Sequence, residues 1–305
     1  MSEVAQPAVL EVIGAALDLA GVDALFHARD LATGLEVGRN PDAPVVLASV
    51  FKIPIALELA RQFDSGRLKP EQRVRVRADQ HTAGDTGLSG LLDEVDISLR
   101  DLAQQMITVS DNTATDIVLE LVGRDAVNAN LARLGLLRTY VEGDCRFLLG
   151  RLVGDLSLSE EEASRLEEPG VLAAIPPERW AGCRDLDAAQ TNRSTAREMT
   201  RLLELIWKDE AASPEACAFV RRIMGQQVWP HRLRAGFSGD VKTSGKTGTL
   251  PFVRNEAGVV EYQDGGRYAV AVFTVARDAE LLAPERDRVI GTVARLAVDH
   301  LRSLS

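Results

Sequence analysis

The sequence predicts an α/β (α+β) protein, with one antiparallel sheet built from strands at both ends of the chain, helices flanking it, and an all-helical subdomain between. Strand-like runs cluster near the two termini, and the long middle carries helical periodicity and capping signals. With 305 residues, 46% hydrophobic and 26% charged, the chain can bury a sizeable core. The sheet subdomain is therefore placed at residues 1–48 with 231–305, and the helical subdomain at 49–230.

Residues 3–20 read as a first helix, followed by "ALFHARDLATGLEVGRN", two strand-like runs around a turn at Thr33-Gly34. In "SVFKIPIALELARQFDSG", Phe51, Ile55, Leu59 and Phe63 fall roughly on one helical face, and Gly66 ends the helix. Ser98 and Asp101 stand at capping-box spacing before another helix, and a further helix spans about Asn112 to Leu121 and stops at Gly123. Residues 155–170 are acidic and polar, which suits a solvated surface helix; a lid over a site is the lesser reading. The last third turns strand-like in "VKTSGKTGT", "AGVVEYQDG" and "RYAVAVFTVAR", with a turn at Gly265-Gly266 and a closing helix through "ERDRVIGTVARLAVDHL".

A net charge of −10 argues against nucleic acid as a partner, which calls for a basic face. No apolar run is long enough to span a membrane. The N-terminus has no Lys or Arg before its apolar part and is interrupted by Glu11 and Asp18, so it reads as an amphipathic helix, with a cytoplasmic location expected. Three widely spaced cysteines, Cys145, Cys183 and Cys217, suggest plain thiols rather than a disulfide framework or zinc site. His27, His81, His231 and His300 are too scattered for a metal cluster or a Ser-His-Asp triad, so neither metal nor cofactor is expected.

Only five of the 35 basic residues are lysine, so a lysine here is more often needed as an amine that can lose its proton. Gly245-Lys246-Thr247 looks like the tail of a phosphate loop. Asp240 stands where that loop needs glycine, however, and the residues after Thr247 are β-like and include Pro251 rather than opening a helix. The phosphate reading fails on spacing and context.

Acyl-transfer chemistry fits better. Ser49-Val50-Phe51-Lys52 puts a hydroxyl and an amine on one face at a helix start. A lysine can serve as the serine's base when desolvation and neighbouring positive charge lower its pKa, and helix N–H groups can steady an oxyanion. Ser110-Asp111-Asn112 comes next, between two helices, where a simple N-cap cluster is the competing reading. Lys246-Thr247-Gly248 completes the set on a strand.

In this order the three motifs resemble those of the class A β-lactamases and their penicillin-binding relatives, and the likeness covers most of the chain. The resemblance implies a β-lactamase/transpeptidase-like fold and a small-molecule substrate, one that can carry a carboxylate, cleaved at a lactam, amide or ester bond. It implies Ser49 as nucleophile, Lys52 as general base, and Ser110 as the group passing a proton toward the leaving group. Asn112 would bind the amide side of the substrate, Lys246 would sustain a positive field and Thr247 would contact the carboxylate. The N–H groups of Ser49 and Thr249 would form the oxyanion hole. Arg232 and Arg234 stand at suitable distances for the arginine the family often adds, though ordinary surface arginines explain them equally well.

The pattern also breaks. The family's deacylating Glu lies in a Glu-x-x-Leu-Asn loop, which this sequence lacks. The family's interval from Asn112 ends near Cys145, with Glu142 and Asp144 as nearby carboxylates, and a long insertion at about 145–190 intervenes before "NRSTAREM". Acylation could then leave a long-lived acyl-enzyme, as in penicillin-binding proteins, giving a covalent binder or sensor as the alternative. An ester or amide could instead be released with Lys52 or Ser110 as base.

Overall fold

Alternating side chains on the late strands dictate a sheet covered on both faces. The computed structural model describes residues 6–304 apart from 167, 169 and 281. The chain opens with α1 (Gln6–Leu19), β1 (Val22–Asp30), β2 (Glu36–Arg39) and β3 (Pro44–Val46). A 3₁₀ turn (Ala48–Phe51) then leads into α2 (Lys52–Asp64). The middle holds β4 (Arg73–Val76), β5 (Val95–Ser98), α3 (Leu99–Thr108), α4 (Asn112–Val122), α5 (Arg124–Arg133), α6 (Cys145–Asp155) and the short α7 (Glu160–Ser164) and α8 (Pro177–Trp180). The chain continues with β6 (Arg193–Thr195), α9 (Ala196–Trp207), α10 (Pro214–Met224), β7 (Lys242–Leu250), β8 (Val253–Glu261), β9 (Arg267–Ala276) and α11 (Pro284–Leu304).

The main sheet runs β2-β1-β9-β8-β7, antiparallel throughout, so the N-terminal hairpin joins the C-terminal strands at the β1–β9 ladder. Tyr268, Val270 and Val272 point into the core under α1 and α11, while Ala269, Ala271 and Phe273 point into the core shared with the helical body. This period of two makes one strand serve two cores. No helix among the described residues is long and apolar enough to cross a membrane.

The helical part is less separate than a boundary at 231 implies. Met199, Leu202, Leu203 and Ile206 of α9 form a helical stripe in the same core as Phe273, and Thr200 meets His27 of β1 at 2.6 Å. Helix α2 is buried nearly all round, including Lys52, which places the start of this helix at the centre of the molecule. The segment at 145–190 has a small core of its own: Leu152, Leu156, Leu172, Ile175, Trp180 and Cys183 pack with Ala279. Trp180 stacks edge-on against Phe252 in the β7–β8 turn at 5.1 Å. Its acidic residues Glu160, Glu161 and Glu162 are exposed on the first turn of α7, as a solvated helix requires, yet Ala163, Ser164 and Leu166 next to them wall a cleft.

Candidate active site

Three elements converge on one cleft of about 900 Å³: the turn before α2, the start of α4 and the end of edge strand β7. Ser49 lies half-buried on the 3₁₀ turn, and the residue before it, Ala48, has φ 45°. Ser110 has φ 65°, so both serines sit in or beside left-handed backbone that a non-glycine residue adopts only when its surroundings enforce it. At Ser110 the enforcement comes from Asp111. Its fully buried carboxylate caps α4 by accepting from Ala114 N (3.0 Å) and also accepts from Leu88 N (2.6 Å) and Ser89 Oγ (3.3 Å).

That turn aims polar groups at Lys52. The fully buried amine donates to Ser110 O at 2.6 Å and Asn112 Oδ1 at 2.9 Å, and lies 3.3 Å from Ser110 Oγ. Asn112 Nδ2 donates to Ala83 O (2.8 Å), which fixes the amide so that its oxygen faces the lysine. Two carbonyl acceptors occupy two hydrogens of the amine; the third position is a proton in the ammonium and a lone pair in the free base. Burial pulls Lys52 below the ordinary lysine range, against the opposing influence of groups that include Asp111 and Asp116.

Lys246 is also fully buried, donates to Thr247 O at 2.9 Å, and is pulled well below the ordinary range by burial and by the charge of Lys52. Thr247 N donates to Gln227 Oε1 (2.9 Å), and Gln227 Nε2 donates to Glu256 Oε1 (2.6 Å). Glu256 also accepts from Leu233 N (2.7 Å), and burial pushes its carboxyl up. Gln227 and Glu256 were not foreseen from sequence; a carboxylate in the strand-like stretch just before "AGVV" was the available signal.

The two candidate arginines part company. Arg232 is buried, binds Asp287 (2.7 Å) and donates to Gly248 O (2.8 Å), Asn255 O (3.0 Å) and Thr249 Oγ1 (2.7 Å), tying the end of β7 to β8. Arg234 instead donates to the carbonyls of Val241 and Gly239, away from Ser49. Gly248 lets β7 press against the Ser49 turn: a Cβ there would stand 2.7 Å from Leu47 O and 3.2 Å from Ala48 Cβ. Ser49 and Thr249 both line the cleft, and Thr249 lies at the end of the edge strand β7, beyond the Thr247 N–H that Gln227 occupies.

Where a deacylating carboxylate was sought stands Cys145, buried on the cleft wall at the first turn of α6. Its N–H and that of Arg146 donate to Asp116 (2.7 and 3.0 Å), which also accepts from Thr82 Oγ1 (2.7 Å). Asp116 lies four residues after Asn112, one turn along the same face of α4. Its role was missed, although that spacing was visible. Burial pushes the Cys145 thiol up to about 12, even beside Lys52, so it is neutral at pH 7. Burial likewise raises Asp116. Glu142 and Asp144 do not replace the missing base: Glu142 pairs with Arg193 (3.4 Å), and Asp144 caps α6 by accepting from Phe147 N (2.7 Å).

Sheet, helical body and this side-chain set together define a β-lactamase/transpeptidase-like protein. The β-lactamase enzyme family model matches residues 9–301, and the chain belongs to that family. It is 32% identical to the β-lactamase regulatory protein BlaB of Streptomyces cacaoi, over 94% of this chain and 95% of that one. A β-lactamase from Sphaerobacter thermophilus shares the fold at TM-score 0.74 and 24% identity, covering 95% of this chain and 96% of the other. PBP-A superposes at TM-score 0.76 and 20% identity, covering 99% and 97%.

Proposed function

We propose that Ser49 is acylated by a β-lactam or a related amide or ester, and that the acyl group then leaves slowly, making the protein a covalent receptor. The observation that carries this reading is Ser49 on the cleft, three residues before the fully buried Lys52 whose pKa burial lowers, together with a neutral thiol, Cys145, where a water-activating carboxylate would stand. The free amine of Lys52 would take the Ser49 proton as the oxygen attacks the carbonyl, and Ser110 Oγ, 3.3 Å from the amine, would carry a proton to the departing nitrogen or oxygen. Thr249 and Ser49 N–H groups would hold the oxyanion. Lys246 and Thr247 would meet a substrate carboxylate, with Arg232 fixing the strand that presents them.

Deacylation needs a base for water. Asp116 already accepts from Thr82 and two backbone N–H groups, and a thiol pushed up to about 12 is a poor base at pH 7. The 32% identity to a protein named as a β-lactamase regulator accords with retention.

Intact-protein mass spectrometry after a penicillin pulse tests the reading. A stable adduct, absent in Ser49→Ala and Lys52→Ala, is expected. Rapid recovery of free protein with nitrocefin turnover would show a hydrolase instead. Absence of any adduct would refute Ser49 chemistry altogether.

A further inference from the structure

The cleft is much larger on one side of Ser49 than the bond-breaking groups require. Ser110, Lys246 and Thr247 are absent from its lining, so most of the volume lies away from the end that would take a carboxylate. It runs past Asn112, Cys145 and Thr249 toward α6, the inserted segment and the β7–β8 turn. Its walls are Leu148, Leu149 and Leu152 from α6, Leu166 and Leu172 from the insertion, and Leu250 from β7. At about 900 Å³ the space matches the upper range of pockets that enclose a drug-sized ligand.

Charge is distributed as unevenly as volume. Asp85, Glu168, Asp278 and Glu280 line the cleft with no Lys, Arg or His among the described lining residues. Arg165 pairs with Glu168 (2.9 Å) and Arg286 with Asp278 (2.7 Å) from outside it, which leaves Asp85 and Glu280 as the carboxylates without a side-chain ion pair among the described residues. Leu152 and Leu172 are at most 5% exposed and belong to the insertion's own core, so this wall is a packed surface rather than loose chain. An apolar group reaching it from Ser49 is removed from water on several sides, whereas an anionic tip would approach Asp85 and Glu280.

We propose that this site selects acylating molecules whose acyl side carries an extended apolar chain without a terminal negative charge, and that the 145–190 insertion builds the wall recognising it. The inference rests on Ser49 acylation, since the chain's path is defined from the acyl carbon. In a penicillin the chain hangs from the 6-amino group beside the lactam carbonyl: Ser49 Oγ bonds to the lactam carbonyl carbon, the lactam C–N bond breaks, the ring nitrogen takes the proton, and the side-chain amide stays intact.

The test uses 6-aminopenicillanic acid acylated with acetyl, butanoyl, hexanoyl, octanoyl or 7-carboxyheptanoyl groups, with second-order acylation of Ser49 followed by intact mass. A fully buried methylene contributes about fourfold. Partial burial along the chain sets the expected gain from acetyl to octanoyl at fiftyfold or more (~50-fold as the minimum, from the same methylene value). The 7-carboxyheptanoyl compound should fall back to near the acetyl rate. Leu148→Asn and Leu166→Asn, both at half-buried positions, should each lower the octanoyl rate relative to the acetyl rate. Equal rates across the series, with Ser49 still acylated, overturn this inference and leave the acylation reading standing. No adduct with any member overturns both.

Discussion

Replacing Cys145 by glutamate should turn a long-lived acyl-enzyme into a transient one. Cys145 opens on a cleft of about 900 Å³, which offers room for the longer side chain. The new carboxylate would lie between opposing influences: burial and Asp116 raise its pKa, and Lys52 lowers it. A positioned general base contributes about 10²–10⁴-fold, or about 2.7–5.5 kcal/mol of barrier. The acyl-enzyme lifetime should shorten by that factor, read as the decay of the Ser49 adduct by mass after a penicillin pulse. Cys145→Gln supplies similar size without the base and should change the lifetime less than about tenfold. A second carboxylate beside Asp116 should cost about 1–3 kcal/mol, checked by urea unfolding. If the Glu and Gln variants both acylate and decay alike, Cys145 does not stand where water approaches the ester.

Gly248→Ala should slow acylation on the order of 10²-fold, because the added methyl meets the Leu47 carbonyl at 2.7 Å and must displace the nucleophile turn; single-turnover rates check this. Asp111→Ala removes the α4 cap and strands the buried Leu88 N–H, so unfolding in urea should show a loss of about 2–4 kcal/mol. Asp111→Asn should lose less. Burial holds His27 neutral down to about pH 4, despite Glu36 beside it and with Arg197 and Arg29 adding to the effect. The unfolded chain binds this proton from about pH 6.5, so the His27 contribution is fully present above pH 6.5 and is lost as pH falls toward 4. The loss should reach about 3 kcal/mol, measured as urea stability against pH, and should flatten in His27→Gln.

The parts of the fold legible in the sequence were those with a local physical signal. Period-two runs at both ends give β1, β2 and the last three strands, and Ser98 caps α3 at the spacing expected of it. The same holds for the polar groups: serine and lysine three residues apart at a helix start share a face because the helix repeat demands it. What escaped was set by tertiary contact. Nothing local says that α9 crosses beneath the sheet; its stripe shows only that one face is buried, not what lies against it. Gln227 sits in a loop yet bridges Thr247 and Glu256, and the separation of Arg232 from Arg234 depends on which neighbour turns toward β8.

The departure at Cys145 joins these two kinds of information. Its position could be counted along the chain, but its chemistry could not. A cysteine at a helix start and beside a lysine would ordinarily be read as reactive, since both neighbours favour the thiolate. Here the wall built by α6 and the insertion buries it, and desolvation outweighs Lys52, leaving the thiol neutral. The same burial pulls Lys52 below its usual range. On the proposed reading, one desolvated pocket would both lower Lys52 for acylation and keep the position of a deacylating base neutral, a single physical cause for slow release.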